Sequence, residues 1–423
     1  MKERAAYFAL AFGFLLIASC DTDKNIASPD KNFFIKYYGI DGNQSGADLF
    51  VVDDGILLLG NSELESIKRI YLAKVDFEGK LMWQKLLGGT ADVAHDIEPT
   101  NDGNFIIVAT YEKTIADHDV KLIKVSPEGN KMDSVIYGSP KKDSPKSVTP
   151  LLDGGFIVTG GTQYDTSDFN PEDPEAYSNI FHFRCNASLD FNKTNWYELY
   201  GATAQFEVGT KVIQESNNRF YVFGYSSQNH KGRASDNRKP NLLYYLIGGG
   251  GIINSEPVFL GDYDQETSAN YVMEAPSELG GGIFLVGTRK NTSGTATLQV
   301  TKLRSPLQFN STDDEQFDKE LEFVSRPVEA VAAAASFAVQ EGFLVLAEEE
   351  RSLDTKNLLL QKITLQGSHV WSVSLGSEEE NDKAAAVTEL SDGKILVLGT
   401  IELGDNQSKL ALFKLNSYGR LQD

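Results

Sequence analysis

Three observations predict an all-β chain folded as a seven-bladed β-propeller, with four antiparallel strands per blade and an N-terminal strand closing the last blade. The first is a repeat. Apolar runs end in a small residue at Gly60, Ala109, Gly160, Gly224, Gly287, Ala347 and Gly399, with spacings of 49, 51, 64, 63, 60 and 52 residues. Periods of this size, each holding four short strands, are those of propeller blades. The second is turn chemistry: Asp53-Asp54-Gly55, Asn101-Asp102-Gly103, Leu152-Asp153-Gly154 and Ser391-Asp392-Gly393 separate paired apolar runs, and Asp-Gly between such runs is a hairpin signal. The third is a missing strand. The seventh copy stops at Asp423 after its third strand, while Asn32 to Gly39 repeats the fourth-strand pattern of Trp83 to Gly88 and Trp371 to Gly376. The N-terminal segment therefore completes the last blade and leaves no open edge across the join.

Each copy reads in the same order. The second runs from a strand ending in Gly88 to an apolar strand His95 to Thr100, the turn Asn101-Asp102-Gly103, the strand Phe105 to Val108 and the alternating strand Val120 to Val125, followed by Pro127-Glu128-Gly129. Strands are expected to end at the small residues of the repeat. Third strands such as Tyr71 to Val75 and Leu410 to Leu415 alternate, so their side chains are expected to point in turn towards the next blade and towards exposed positions. The innermost strands turn small, at Ala332 to Ala335 and Ala384 to Ala386. Ala is also the best helix former, but the repeat assigns Val331 to Val339 to a strand. Residues 32–423 then form one repeat domain.

Residues 1–19 read as an address. Lys2 and Arg4 precede an apolar run, Ala5 to Ile17, too short to span a bilayer, and Ile17-Ala18-Ser19-Cys20 fits a small-residue cleavage site. The pattern resembles a bacterial lipoprotein signal, which implies lipidation at Cys20 and an outer-membrane location. Residues 20–31 form a polar tether that could reach roughly 40 Å if extended. Its early acidic residues resemble the export signals of surface lipoproteins in Bacteroidota-type bacteria, which implies exposure at the cell surface. Loss of Lys2, Glu3 and Arg4 leaves the mature chain one unit more negative than the −21 of the full sequence. Such a surface repels nucleic acid and anionic headgroups, so membrane contact is expected through the lipid alone. With Cys20 lipidated, Cys185 is the one remaining thiol, no intramolecular disulfide can form, and its strand setting suits a small buried residue.

Linear catalytic motifs are missing: no Gly-x-x-x-x-Gly-Lys-Ser/Thr, no His-Glu-x-x-His and no Gly-x-Ser-x-Gly. His95, His118, His182, His230 and His369 show no metal-ligand spacing, and Asp117 to Asp119 and Asp262 to Glu266 lack the Gly and distal Glu of a calcium loop. No metal or cofactor is expected. Val75-Asp76-Phe77-Glu78-Gly79-Lys80-Leu81-Met82-Trp83 resembles the Asp-x-x-Gly-x-x-x-Trp repeat of PQQ-like and bacterial β-propeller repeat proteins. That resemblance implies Trp residues that dock blade on blade, with no implication of a quinone. Two long loops remain. One carries Tyr164, Asp168, Phe169 and Tyr177; the other carries His230, Arg233 and Arg238. Aromatic anchors beside opposite charges make them the candidate partner-binding surface. The expected function is a non-catalytic, lipid-anchored scaffold recognising an outer-membrane or surface protein complex, or a glycan. The alternative is a glycan-active hydrolase or lyase with convergent carboxylates at the channel mouth; an apolar, Ala-lined channel would favour the scaffold. The anchor makes the first prediction: Cys20→Ser moves the protein from the membrane pellet to the soluble fraction on ultracentrifugation, and retention in a salt-washed pellet would refute the anchor.

Overall fold

The computed structural model describes residues 33–163, 178–190, 197–201, 205–227, 240–260, 265–290, 294–321, 326–352, 355–377, 379–404 and 407–422. The expected lipidation site Cys20, the expected tether, and all seven residues proposed for partner binding lie outside the described residues. Seven antiparallel sheets follow one another along the chain, each starting at an inner strand and ending at an outer one. Blade 1 is typical, with Asn43–Val52 innermost, then Gly55–Leu64, Ile67–Val75 and Leu81–Leu87. In blade 7 the outer strand is Phe34–Tyr38, antiparallel to Ser408–Leu415 in the register Phe34 to Lys414 through Tyr38 to Leu410. The expected closure is present. Blade 5 differs in having its inner strand split into Glu266–Thr267 and Tyr271–Glu274.

The core lies between blades. Buried clusters join neighbouring sheets, as where Leu57, Leu59, Ile70 and Leu72 of blade 1 meet Ile97, Ile107 and Ile123 of blade 2. Third strands are covered on both faces: Ile70 to Val75 and Asn241 to Gly248 are buried without interruption. The alternation expected for them is corrected on this point, because a sheet packed between two others has no solvent face. Lys74, at the end of that run, is 8 % exposed, and its ammonium snorkels to Asp54 of the first turn at 2.6 Å. Lys124 reaches Asp102 in the same way, and Arg184 reaches Asp153. In blades 5 and 6, Lys302 and Lys362 donate instead to the carbonyls of Leu279 and Ser336. The Asp-Gly turns thus have a cationic clasp from their own blade.

The repeating small residue has a cause that the sequence left open. Gly60 does not end its strand, which continues to Leu64. It sits mid-strand opposite a bulge in the inner strand, where Gly46 pairs with Gly60, Asp48 pairs with Leu59, and Ala47 is the extra residue. The same bulge recurs opposite Ala109, Gly160, Gly224, Ala347 and Gly399. A bulge kinks the strand and leaves one residue unpaired. It drives an inner-strand carbonyl towards the facing Cα, so that a Cβ at Gly60, Gly160 or Gly224 would collide with the carbonyl of Ser45, Ser144 or Val208. The kink also frees inner-strand N–H groups, which the preceding blade satisfies. The residue after the small slot accepts that N–H: Asn61 Oδ1 from Ala94 at 2.7 Å, Thr288 Oγ1 from Ala330 at 2.9 Å, Glu348 Oε1 from Ala384 at 3.2 Å and Thr400 Oγ1 from Gly46 at 2.9 Å. The docking role implied for Trp83 and Trp371 is present, since a Cβ on Gly129 or Gly419 of the following blade would strike their rings.

Ala332 to Ala335 lie in the inner strand Val328–Ser336, as the repeat requires, and Cys185 is buried on Asn179–Cys185. No helix among the described residues is long and apolar enough to cross a membrane. The slot yields the second prediction. Gly224→Val forces a side chain into the Val208 carbonyl and lowers unfolding free energy by about 1–3 kcal/mol, whereas Ala109→Gly costs no more than about 1 kcal/mol. Denaturant titration checks both, and equal stability of Gly224→Val and the parent would refute the steric account.

Candidate active site

The bulges do more than hold the ring together. At each one, and at the split inner strand of blade 5, the residue paired just before the small slot occupies the same height on the channel wall. Read round the propeller, that ring is Asp48, Asp96, Ser147, Lys211, Tyr271, Ala332 and Ala386, opposite Leu59, Val108, Thr159, Phe223, Val286, Leu346 and Leu398. The extra residues of the bulges add His95 and Lys146 beside it. These side chains line an axial cavity of about 1090 Å³. Its lining runs from the bulges to the ends of the inner strands at Phe337, Leu390 and Ser391, which is the Asp-Gly turn end. One wall, from blades 6 and 7, is Val331 to Ala335 and Ala384 to Val387; the facing wall, from blades 1 to 5, is charged. The channel is therefore half of what each functional reading expected.

On the charged wall the groups are coupled. Asp48 Oδ2 accepts the N–H of Ile97 at 3.2 Å, and Asp96 Oδ2 accepts that of Val148 at 3.0 Å, so each carboxylate also ties its blade to the next. Lys211 reaches across blade 3 to Glu98 Oε1 at 2.6 Å and Asp96 Oδ2 at 3.5 Å. Burial, then the charge of Asp96 and a hydrogen bond with it, push the Asp48 carboxyl well above the usual carboxylate range. Burial raises Glu98 as well, against the pull of Lys211. Burial opposes the charge of Lys211, but Asp96 and Glu98 outweigh it and hold the amine above the ordinary lysine value. Tyr271, on the same wall, is raised by burial and then by Asp48. His95 is lowered to about 3 by burial and by Lys146 and stays neutral, its Nε2 2.8 Å from Thr110 Oγ1. A carboxyl pushed towards its protonated form, a second carboxylate paired with lysine, and a phenol on one cavity are the groups that general acid–base chemistry uses.

Two of the other residues weighed from sequence have structural settings, while His230 and Asp262 to Asp264 lie outside the described residues. His182 lies fully buried against Tyr245, and Asp117 pairs with Lys113 at 2.8 Å. Among the described residues no group of three or more His, Cys, Asp or Glu could hold a metal. Sequence reasoning missed Asp48, Asp96, Glu98, Lys211 and Tyr271. The signal was a fixed offset, since Asp48, Asp96, Ser147, Lys211 and Ala386 stand 12 or 13 residues before their small slots; without the bulge, nothing marked that offset as the channel wall.

No protein-family model matches the chain, and no curated protein matches it. Solved structures do. A polysaccharide lyase, an ulvan lyase, is similar with a TM-score of 0.55 at 9 % identity over 91 % of this chain and 97 % of its own. The β-propeller domain of the trilobed protease of Pyrococcus furiosus gives a TM-score of 0.47 at 9 % identity, covering 90 % and 98 % of the two chains. The α-L-arabinanase of Penicillium chrysogenum gives 0.46 at 12 %, covering 76 % and 92 %. At these identities the likeness is one of fold. The expectation of a chain without catalysis is nonetheless overturned. It rested on missing linear motifs, yet the fold is one that a lyase uses, and the channel is not the apolar one that a pure scaffold required. A propeller site draws single residues from separate inner strands, a pattern that no linear motif describes.

The coupled carboxyls set the third prediction. Asp48 titrates higher folded than unfolded, so the folded state binds the extra proton. The stability this contributes is complete below the unfolded value and is lost as pH rises through the folded one. Asp48→Asn removes the loss and keeps an oxygen for the Ile97 N–H. Its melting temperature should exceed the parent's, by a margin that widens as pH rises above the ordinary carboxylate range; a margin independent of pH would refute the coupling.

Proposed function

We propose that this chain cleaves a glycan by acid–base chemistry inside the propeller channel, and that it does so while held at the outer membrane by a lipid on Cys20. The carrying observation is the convergence of Asp48, Asp96, Glu98, Lys211 and Tyr271 from four blades on one cavity. In this reading Asp48, whose carboxyl is pushed above the usual carboxylate range, protonates the leaving glycosidic oxygen. Glu98 takes a proton from the attacking water, whose oxygen bonds to the anomeric carbon as the glycosidic bond breaks. Lys211 keeps Glu98 in place and offsets its charge, and Asp96 orients the proton of Asp48. Separate carboxyls with separate environments can divide the acid and base roles between them. The cavity volume exceeds that of a small-ligand pocket and suits several sugar units. The fold likeness to a polysaccharide lyase supports the substrate class without fixing the reaction.

The tether from Cys20 would leave the propeller at the cell surface, within reach of polymeric substrate. The loops carrying Tyr164, Asp168, Phe169, Tyr177, His230, Arg233 and Arg238 are proposed as its contacts with a partner protein or with glycan outside the channel. Their aromatics supply apolar contact, and their charges set orientation. The experiment is a screen of the full-length protein against plant, algal and host polysaccharides, reading new reducing ends and the ultraviolet absorbance of unsaturated products. Asp48→Asn and Glu98→Gln should each lower the rate on the substrate found by about 10²–10⁴-fold. Undiminished cleavage by both variants would refute this site.

A further inference from the structure

On the cavity wall Asp96, Glu98 and Glu389 are partnered within the protein, whereas the ammonium of Lys146 has no counter-ion among the described residues. Glu98 and Asp96 have Lys211. Glu389 accepts the N–H groups of Phe337 and Ala338 and the hydroxyl of Ser336. Lys146 is the extra residue of the blade 3 bulge, exposed on the cavity lining. Among the described residues it has no carboxylate within 4.0 Å, in contrast to Lys211 one blade on. The bulge gives it a place in the channel that a regular inner strand would not, because the unpaired residue is turned out of the ladder. An ammonium held at a cavity wall without a counter-ion is a point charge for an anionic ligand group.

Resting on the reading of the channel as a glycan site, we infer that its substrate is an acidic glycan and that Lys146 binds the anionic substituent of the sugar ring, a uronate carboxylate or a sulfate ester. Lys146 is a specificity residue in this assignment, with no part in bond cleavage. The strongly acidic chain makes the effect sharper. An anionic sugar approaching the cavity meets net repulsion from the protein, and the remaining lysine there, Lys211, is already engaged. Removal of the Lys146 charge therefore turns a channel that accepts acidic sugars into one that rejects them. Although the side chain is open to the channel, the protein crowded around that channel desolvates the Lys146 amine and lowers it, against the pull of Glu329, so binding should fade on the alkaline side earlier than for an ordinary lysine.

The test is calorimetric binding of three length-matched probes, an oligouronate, a sulfated neutral oligosaccharide and the uncharged parent oligosaccharide, to the full chain and to Lys146→Gln and Lys146→Arg. The parent protein should bind one acidic probe at least tenfold more tightly than the uncharged one, and which acidic probe wins separates carboxylate from sulfate. Lys146→Gln should abolish the preference without changing uncharged binding, and Lys146→Arg should retain most of it. If Lys146→Gln keeps the preference, the assignment of Lys146 is wrong. If the uncharged probe binds as well as both acidic ones, the acidic-substrate inference falls while the glycan site stands. If no glycan binds, the reading of the channel falls as well.

Discussion

The bulge in the inner strand of six blades, replaced by a split strand in blade 5, is the constraint on which the rest of this propeller depends. A strand running along the axis of a closed ring must curve, and one extra residue supplies the curvature. The cost is an inner-strand carbonyl pressed towards its neighbour and N–H groups left without a ladder partner. The first is met by a glycine or alanine opposite, as at Gly60 and Ala109. The second is met by a polar side chain of the preceding blade, as Asn61 does for Ala94 and Thr288 for Ala330. Buried backbone donors must find a partner, so the ring's cohesion and its bulges are one feature.

The same device makes the channel. By turning one residue out of the ladder and shifting the next, six blades offer a side chain at a common height, and the split strand of blade 5 adds Tyr271. Seven near-identical scaffolds then carry seven independent choices, from Asp48 and Asp96 through Lys211 and Tyr271 to the alanines of blades 6 and 7. The division into a charged wall and a smooth wall follows from those choices alone. Asp48 and Asp96 also accept N–H groups from the next blade, so the groups offered for chemistry are fixed in place by the bonds that join the sheets. Such fixing is what a preorganised site needs.

Burial explains the chemistry of these groups better than identity does. Asp392, in an exposed turn, is held below the usual carboxylate range because its bonds to Lys394 outweigh its slight burial, while burial and the neighbouring Asp96 push Asp48 well above that range. The clasps of the outer turns are solvent-screened pairs worth little singly. Lys211 with Glu98 is different, because the pair is partly desolvated and loss of either partner strands the other.

Blade number, turn positions, closure by Phe34 to Tyr38 and the docking of Trp83 were legible in the sequence, because each rests on short-range chemistry: Asp-Gly hairpins, apolar runs and the spacing of small residues. The alternation of the third strands was misread because neighbour burial is not a local property. The sequence could place Asp48, Asp96 and Lys211 on inner strands, but it could not say that they share a ring. That depends on a one-residue bulge, and a shift of one residue exchanges the two faces of a strand. By itself the sequence determined the ring and how it shuts. Only the tertiary structure decided which side chains face the axis and which carboxyls there are pushed above their usual range, because both depend on register and burial set by residues far away along the chain.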